Sequence, residues 1–248
     1  MAEAGHTLLA RLGKKRLRPG GKIATNWLLK KGNISKDCQI LEVACNMGTT
    51  SIELAKTYGC QIQAVDLDKK ALEQAGVNAK AAGVSDLVMF KQANAMKLPF
   101  PDESFDVVIN EAMLTMQSEK GKQKCLQEYY RVLKPNGLLL THDVMLREND
   151  EEVRARLSKA IHVNVAPLTK ENWKSLVKEQ GFSAIESLSG EMTLMSPKGM
   201  IYDEGLFGTL KIFKNALKAK NRSHFFTMFQ TFREQKDRLG FIAMAAKK

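Results

Sequence analysis

The stretch that most constrains this chain runs Gln39-Ile40-Leu41-Glu42-Val43-Ala44-Cys45-Asn46-Met47-Gly48. Ile40, Leu41 and Val43 form a short apolar strand, and small residues then turn the chain. Thr49, Thr50 and Ser51 follow, the side chains that best cap a helix N-terminus, so a helix is expected to start there. A second apolar run, Ile62 to Val65, ends on Asp66. Strand, tight turn, helix and a second strand ending in an acid make the pattern of a nucleoside-binding βαβ unit. The turn lets a ligand approach the backbone, and the free N–H groups of the helix attract an anion. A carboxylate at the end of the second strand has lone pairs for two ribose hydroxyls.

On these residues the chain resembles the class I S-adenosylmethionine-dependent methyltransferases. Within them it is similar to the broad group that methylates ubiquinone and menaquinone precursors and many other small molecules. The family's first motif reads Glu/Asp-x-Gly-x-Gly-x-Gly. Here Glu42, Ala44, Asn46 and Gly48 hold those positions, so two of the three glycines are replaced. Asn tolerates positive φ best among the other residues, and Ala adds only one methyl.

Three more strings carry the resemblance from residue 18 to residue 146. Arg18-Pro19-Gly20-Gly21 matches a family stretch that closes over the methionine end of the cofactor, although the same glycines also suit a plain turn. Leu98 to Ile109 is a proline-rich turn leading into a buried strand. Tyr130 to Gly137 is close to the family's Arg-Val-Leu-Lys-Pro-Gly-Gly, before a strand at Leu138 to Leu140. The resemblance implies a Rossmann-like α/β fold: a seven-stranded, mostly parallel sheet with its last strand antiparallel, and a helical insertion near the C-terminus. It implies S-adenosylmethionine as cofactor and S-adenosylhomocysteine as product. The implied cofactor contacts are Arg18, Gly20, Gly21, Glu42, Ala44, Cys45, Asn46, Gly48, Asp66, Leu67, Asn94, Ala95 and Asn110. Leu67 is expected against the adenine and Asn94 beside its amino group, while Asp68 is expected to cap the next helix.

Length and composition set the frame around this core. The 248 residues, 44% of them hydrophobic, suit one domain. Residues 1–34 are read as a basic arm and helix, 35–146 as the cofactor core, and 147–248 as a C-terminal half. That half includes a helical lobe at about 191–239. No apolar run approaches the ~18 residues that span a membrane, and the N-terminus does not read as a secretory signal. Cys38, Cys45, Cys60 and Cys125 show neither zinc spacing nor a paired framework, so a reducing cytoplasm and no metal are expected. The formal charge of +11 favours anionic partners in general.

Catalytic groups are expected at the carboxyl ends of parallel strands. Those ends offer Asn110, Glu111 and Met113, then His142 and Asp143. A sulfonium already carries its leaving group, so methyl transfer needs alignment first, and a base only if the acceptor must lose a proton. Glu111 and His142 are the candidates for base or for substrate orientation. A helix cap and a satisfied core histidine are the alternative readings. Asn110-Glu111-Ala112-Met113 does not match the Asn/Asp-Pro-Pro-aromatic loop with which amino-group nucleic-acid methyltransferases grip a base. A small-molecule acceptor is therefore expected. An RNA methyltransferase, favoured by the charge, is the competing reading; a weakly catalytic cofactor-binding module, suggested by the lost glycines, is the third.

Two stretches stay open at this level. Arg11, Lys14, Lys15, Arg16, Arg18 and Lys22 occur without an acid among them, which reads as a solvated arm or as a strap over the cofactor. A helix follows over 22–31, with Ile23, Trp27 and Leu28 on one face. The insertion from Glu191 to Leu239 is rich in Met and Phe, and reads as a packed lobe or as a lid on a substrate pocket. Tyr202-Asp203-Glu204-Gly205 breaks its apolar pattern. Lys211, Lys214, Lys218, Lys220 and Arg222 form a second basic segment.

Overall fold

The computed structural model describes residues 3–248. Helices α1 (Gly5–Leu12) and α2 (Gly21–Lys31) precede the sheet. Then come β1 (Gln39–Val43), α3 (Thr49–Tyr58), β2 (Gln61–Asp66), α4 (Lys69–Ala82), β3 (Val88–Gln92) and β4 (Phe105–Glu111). A 3-10 turn at Leu114–Met116 leads to α5 (Glu119–Val132), β5 (Leu133–Leu146), α6 (Glu151–Ile161), β6 (Leu168–Thr169) and α7 (Lys170–Glu179). The chain closes with β7 (Ser183–Glu191), α8 (Pro197–Ala216), α9 (Ala219–Glu234) and β8 (Leu239–Lys247).

The sheet runs β3-β2-β1-β4-β5-β8-β7, and β8 is antiparallel to both of its neighbours. These seven strands make the expected mostly parallel sheet with its last strand antiparallel. An eighth, the two-residue β6, pairs with the end of β5. β5 also begins earlier than expected, at Leu133, which pairs with Phe105; residues 134–137 then bulge out of the register, with Asn136 in left-handed backbone (φ 65°), before pairing resumes at Leu138.

The central strands are covered on both faces, which explains their nearly continuous apolar sequence. Side chains alternate between the two faces with period two. Leu41, Val43 and Val108 join Tyr129 of α5 and Trp173 of α7 on one side. Ile40, Val107 and Ile109 join Leu28 of α2 and Leu54 of α3 on the other. A third cluster binds α1 to the lobe inserted between β7 and β8: Leu8, Leu9 and Leu12 meet Met200, Ile212, Phe225 and Met228.

Local caps account for most helix starts. Asp68 accepts from the N–H groups of Lys70 and Ala71, and Thr169 accepts from Asn172. Two local expectations are corrected. The hydroxyls at 49–51 do not cap α3; its N-cap is Gly48, and the buried Glu42 carboxylate takes the Ser51 N–H instead. In α2 the buried face is Ala24, Thr25 and Leu28, while Ile23 is exposed. Packing of that helix on β8 selects the small residues.

Candidate functional site

A cavity of about 580 Å³ opens where β1, β2 and β4 end. Its floor is the turn after β1, where Ala44 (φ 59°), Asn46 (φ 47°) and Gly48 (φ 74°) all take left-handed backbone. Gly48 is the one of the three that retains glycine, and a Cβ there would sit 2.8 Å from the Phe90 ring. The Asn46 N–H donates to Asp66 Oδ2 (2.8 Å) and the Asp68 N–H donates to Oδ1 (2.9 Å). A carboxylate has about four acceptor positions, so each oxygen keeps one for a ligand. Leu67, Asn94 and Ala95 continue the wall on this side. Asn94 Oδ1 accepts from the Met96 N–H (2.9 Å), which fixes the amide in the wall.

The opposite end of the cavity is a buried charged layer. Arg18 Nη1 lies 3.0 Å from Glu111 Oε1 and donates to Thr25 Oγ1 (2.9 Å), while Nη2 donates to Thr50 Oγ1. The Thr25 hydroxyl donates to Glu111 Oε2 (2.6 Å). His142 Nδ1 lies 3.0 Å from that same oxygen, and its Nε2 accepts the Gly20 N–H (2.9 Å). Accepting at Nε2 assigns the proton of a neutral imidazole to Nδ1, which then donates to Glu111. Burial, the main cause, lowers the His142 pKa and so favours that neutral form.

Burial pushes the Glu111 carboxyl up, but Arg18, His142 and Thr25 together outweigh it and hold the group down at about 2. Glu111 Oε1 has no aligned hydrogen bond among the described residues, despite the nearby guanidinium. Glu111 lines the cavity as an ionised residue, and this incompletely satisfied oxygen is itself buried behind its surface. Glu42, also on the wall, is pushed up to about 7 by burial, partly offset by Ser51 and Arg18.

The wall therefore brings together Arg18, Glu42, Ala44, Cys45, Asn46, Asp66, Leu67, Asn94, Ala95 and Glu111. Gly20, Gly21, Asn110 and His142 are not part of that wall, and Gly48 closes the floor turn without itself lining the cavity. A Cβ on Gly20 would come 2.5 Å from Phe241, and one on Gly21 would come 2.3 Å from Asp203, so both glycines serve protein packing. Asn110 is fully buried and donates to the Val43 carbonyl (3.0 Å), tying β4 to β1.

The basic arm is solvated only in part: Arg11 and Lys15 are exposed, but Lys14, Arg16 and Arg18 are buried. Lys14 Nζ lies 3.5 Å from Glu204 and 3.8 Å from Asp203, and Arg16 pairs with Glu53. Glu204 also accepts the Lys15 and Arg16 N–H groups, and Asp203 accepts the Lys22 N–H. The acids that interrupt the lobe's apolar pattern thus fasten the arm. Among the described residues, none from 191 to 239 lines the cavity. The covering element is α1, through His6, Thr7, Ala10 and Arg11, and Met113, Met116 and Gln117 complete the wall beside Glu111. Sequence reasoning missed α1 as a wall; its signal was the apolar spacing Leu8, Leu9, Leu12, which marks a helix packed on one side.

Comparison with known proteins places these features. A family described as "Methyltransferase domain" matches residues 40–137. The chain is 59% identical to an "Uncharacterized protein" of Haemophilus influenzae, over 99% of this chain and 98% of the other. It is 25% identical to the 27-O-demethylrifamycin SV methyltransferase of Amycolatopsis mediterranei, over 85% of this chain and 77% of that one. Its fold superimposes on phosphoethanolamine N-methyltransferase 2 of Haemonchus contortus, solved with S-adenosyl-L-methionine, at a TM-score of 0.78 and 19% identity. That overlay covers 98% of this chain and 56% of the other, and the likeness is one of fold.

Proposed function

Because the chain belongs to the class I S-adenosylmethionine-dependent methyltransferases, we propose that it methylates a small molecule by direct transfer. The observation that carries this reading is the cavity itself. At about 580 Å³, with α1 forming part of its wall, it has the size of a small-molecule site. Burial and pairing of Lys14, Arg16 and Arg18 support the same reading, since those charges are spent inside the protein and do not form a phosphate-binding footprint. One cooperative domain fits the way the N-terminal arm, the core and the lobe pack on each other. The four cysteines are free thiols, which suits a reducing cytoplasm.

In this reading Asp66 accepts the two ribose hydroxyls on its remaining lone pairs, and Leu67, Asn94 and Ala95 flank the adenine. The 44–48 turn, Glu42 and Arg18 hold the methionine end. When bound, S-adenosylmethionine supplies an electrophilic methyl on a sulfonium. Glu111 keeps a negative charge on the wall where cationic groups gather and helps to orient them. It is a poor base, because a carboxyl held near pKa 2 has little affinity for a proton. His142 is a positioning residue, with both nitrogens committed to Glu111 and Gly20. With neither Glu111 nor His142 free to take a proton, the reading favours an acceptor that does not depend on them as a base, such as an amine or an already ionised oxygen, sulfur or carbon.

The test is transfer from methyl-labelled S-adenosylmethionine to separated small-molecule, RNA and protein fractions of a cell extract. Label in the small-molecule fraction is expected. Label confined to RNA or protein overturns the reading.

A further inference from the structure

Residues 205–233 hold six cations, Lys211, Lys214, Lys218, Lys220, Arg222 and Arg233, and no acid. The same stretch turns large apolar side chains to solvent. Leu206, Leu210 and Leu217 of the lobe are more than half exposed, and Phe207 is 86% exposed. Single exposed apolar residues are ordinary on protein surfaces. These are not scattered. Phe207, Leu210, Lys214 and Leu217 follow one another at spacings of three and four, the repeat of one helix face. The other side of α8 already faces the protein through Thr209, Ile212 and Ala216. Leu217 and Phe226 also line one shallow depression beside Arg222, which carries the apolar surface across to α9.

Charge chooses the occupant. A second copy docked on this face would bring lysines against lysines. A nucleic acid would satisfy the lysines and leave Phe207 and its neighbours unmatched. An anionic lipid surface meets both needs, with phosphates for the cations and the acyl boundary for the apolar side chains. We propose that the α8–α9 face lies on an anionic bilayer surface, with Leu206, Phe207 and Leu210 entering the interface and Lys211, Lys214 and Lys218 on lipid phosphates. The association is peripheral: among the described residues, no helix is long and apolar enough to cross a membrane. The proposal is independent of the acceptor's identity.

The test uses the full chain in co-sedimentation with vesicles of pure phosphatidylcholine and of phosphatidylcholine with phosphatidylglycerol. Two variants are compared, Phe207→Ser/Leu210→Ser and Lys211→Glu/Lys214→Glu, with S-adenosylhomocysteine binding as the check that each remains folded. The expected result is binding to anionic vesicles and not to neutral ones, with partition weakened about tenfold or more by either double substitution. Absence of binding to anionic vesicles at low salt overturns the proposal. So does partition unchanged in the apolar variant, which would mean charge attraction without an inserted face. A dimer in sedimentation velocity that Phe207→Ser/Leu210→Ser dissolves also overturns it, and assigns the face to a second copy.

Discussion

Two acids stand at equivalent places in the sheet, Asp66 at the carboxyl end of β2 and Glu111 at the carboxyl end of β4, and both face the same cavity. Their surroundings differ in kind. Asp66 is half-buried and takes backbone N–H groups from the adjoining turn and from two residues onward. Glu111 is buried and takes side chains from the N-terminal arm, α2 and β5. The first is a binding group that the fold can lose cheaply. The second belongs to a coupled charge network, in which each partner keeps another from being buried unpaired. One end of the site is thus built by backbone, and the other by packing.

The sharpest way to break this comparison is to remove one partner from each end. Arg18→Met strands the Glu111 carboxylate in the interior, and urea unfolding should show a loss of about 3–5 kcal/mol. Asp66→Ala should lose only about 1 kcal/mol. Equal losses would show that the two acids are not different in kind.

Acid titration separates the ends next, and the sign follows from linkage. The Glu111 pKa is held at about 2, below its ordinary 4.5, so its stabilisation is present above about pH 4.5 and is lost as pH falls toward 2. Asp143, buried nearby on β5, behaves oppositely. Burial pushes it up from 3.8 to about 7, so its contribution is full below about pH 4 and is lost as pH rises through 7. Denaturation against pH should show the acid-side loss disappear in Glu111→Gln, and a shallower decline between pH 4 and 7 in Asp143→Asn. The smallest effect concerns the turn. Ala44 carries a left-handed φ of 59°, so Ala44→Gly should raise thermal stability by about 0.5–1 kcal/mol, with the cavity otherwise intact.

The backbone-built end was legible in the sequence because its determinants are local. The β1 turn, Asp66 and the Asp68 cap lie within one βαβ unit, where strand, turn and cap signals reinforce each other. Even the lost glycines were readable, since Asn46 and Ala44 adopt the positive φ that a glycine would supply there. The packed end was not. A run of cations without acids reads as a solvated face until the chain folds, and the Lys15–Glu204 contact spans 189 residues. Nothing near Gly20 and Gly21 announces Phe241 and Asp203 as the neighbours that forbid a Cβ. The Phe- and Met-rich insertion signalled burial correctly for Met195, Met200, Phe225 and Met228 but not for Phe207 and Phe226, and the pattern does not say against what the buried ones pack. It packs on α1, and α1 covers the cavity.

The most direct test of the central claim, that the β1–β2 end is the cofactor's nucleoside site, is calorimetric titration of S-adenosylhomocysteine into the wild-type protein and Asp66→Ala. The account predicts saturable binding to the wild type, weakened about 10- to 100-fold in the variant as charge-assisted bonds to the ribose are lost, with both proteins folded. Equal affinity in the two proteins, or no binding to the folded wild type, would contradict it.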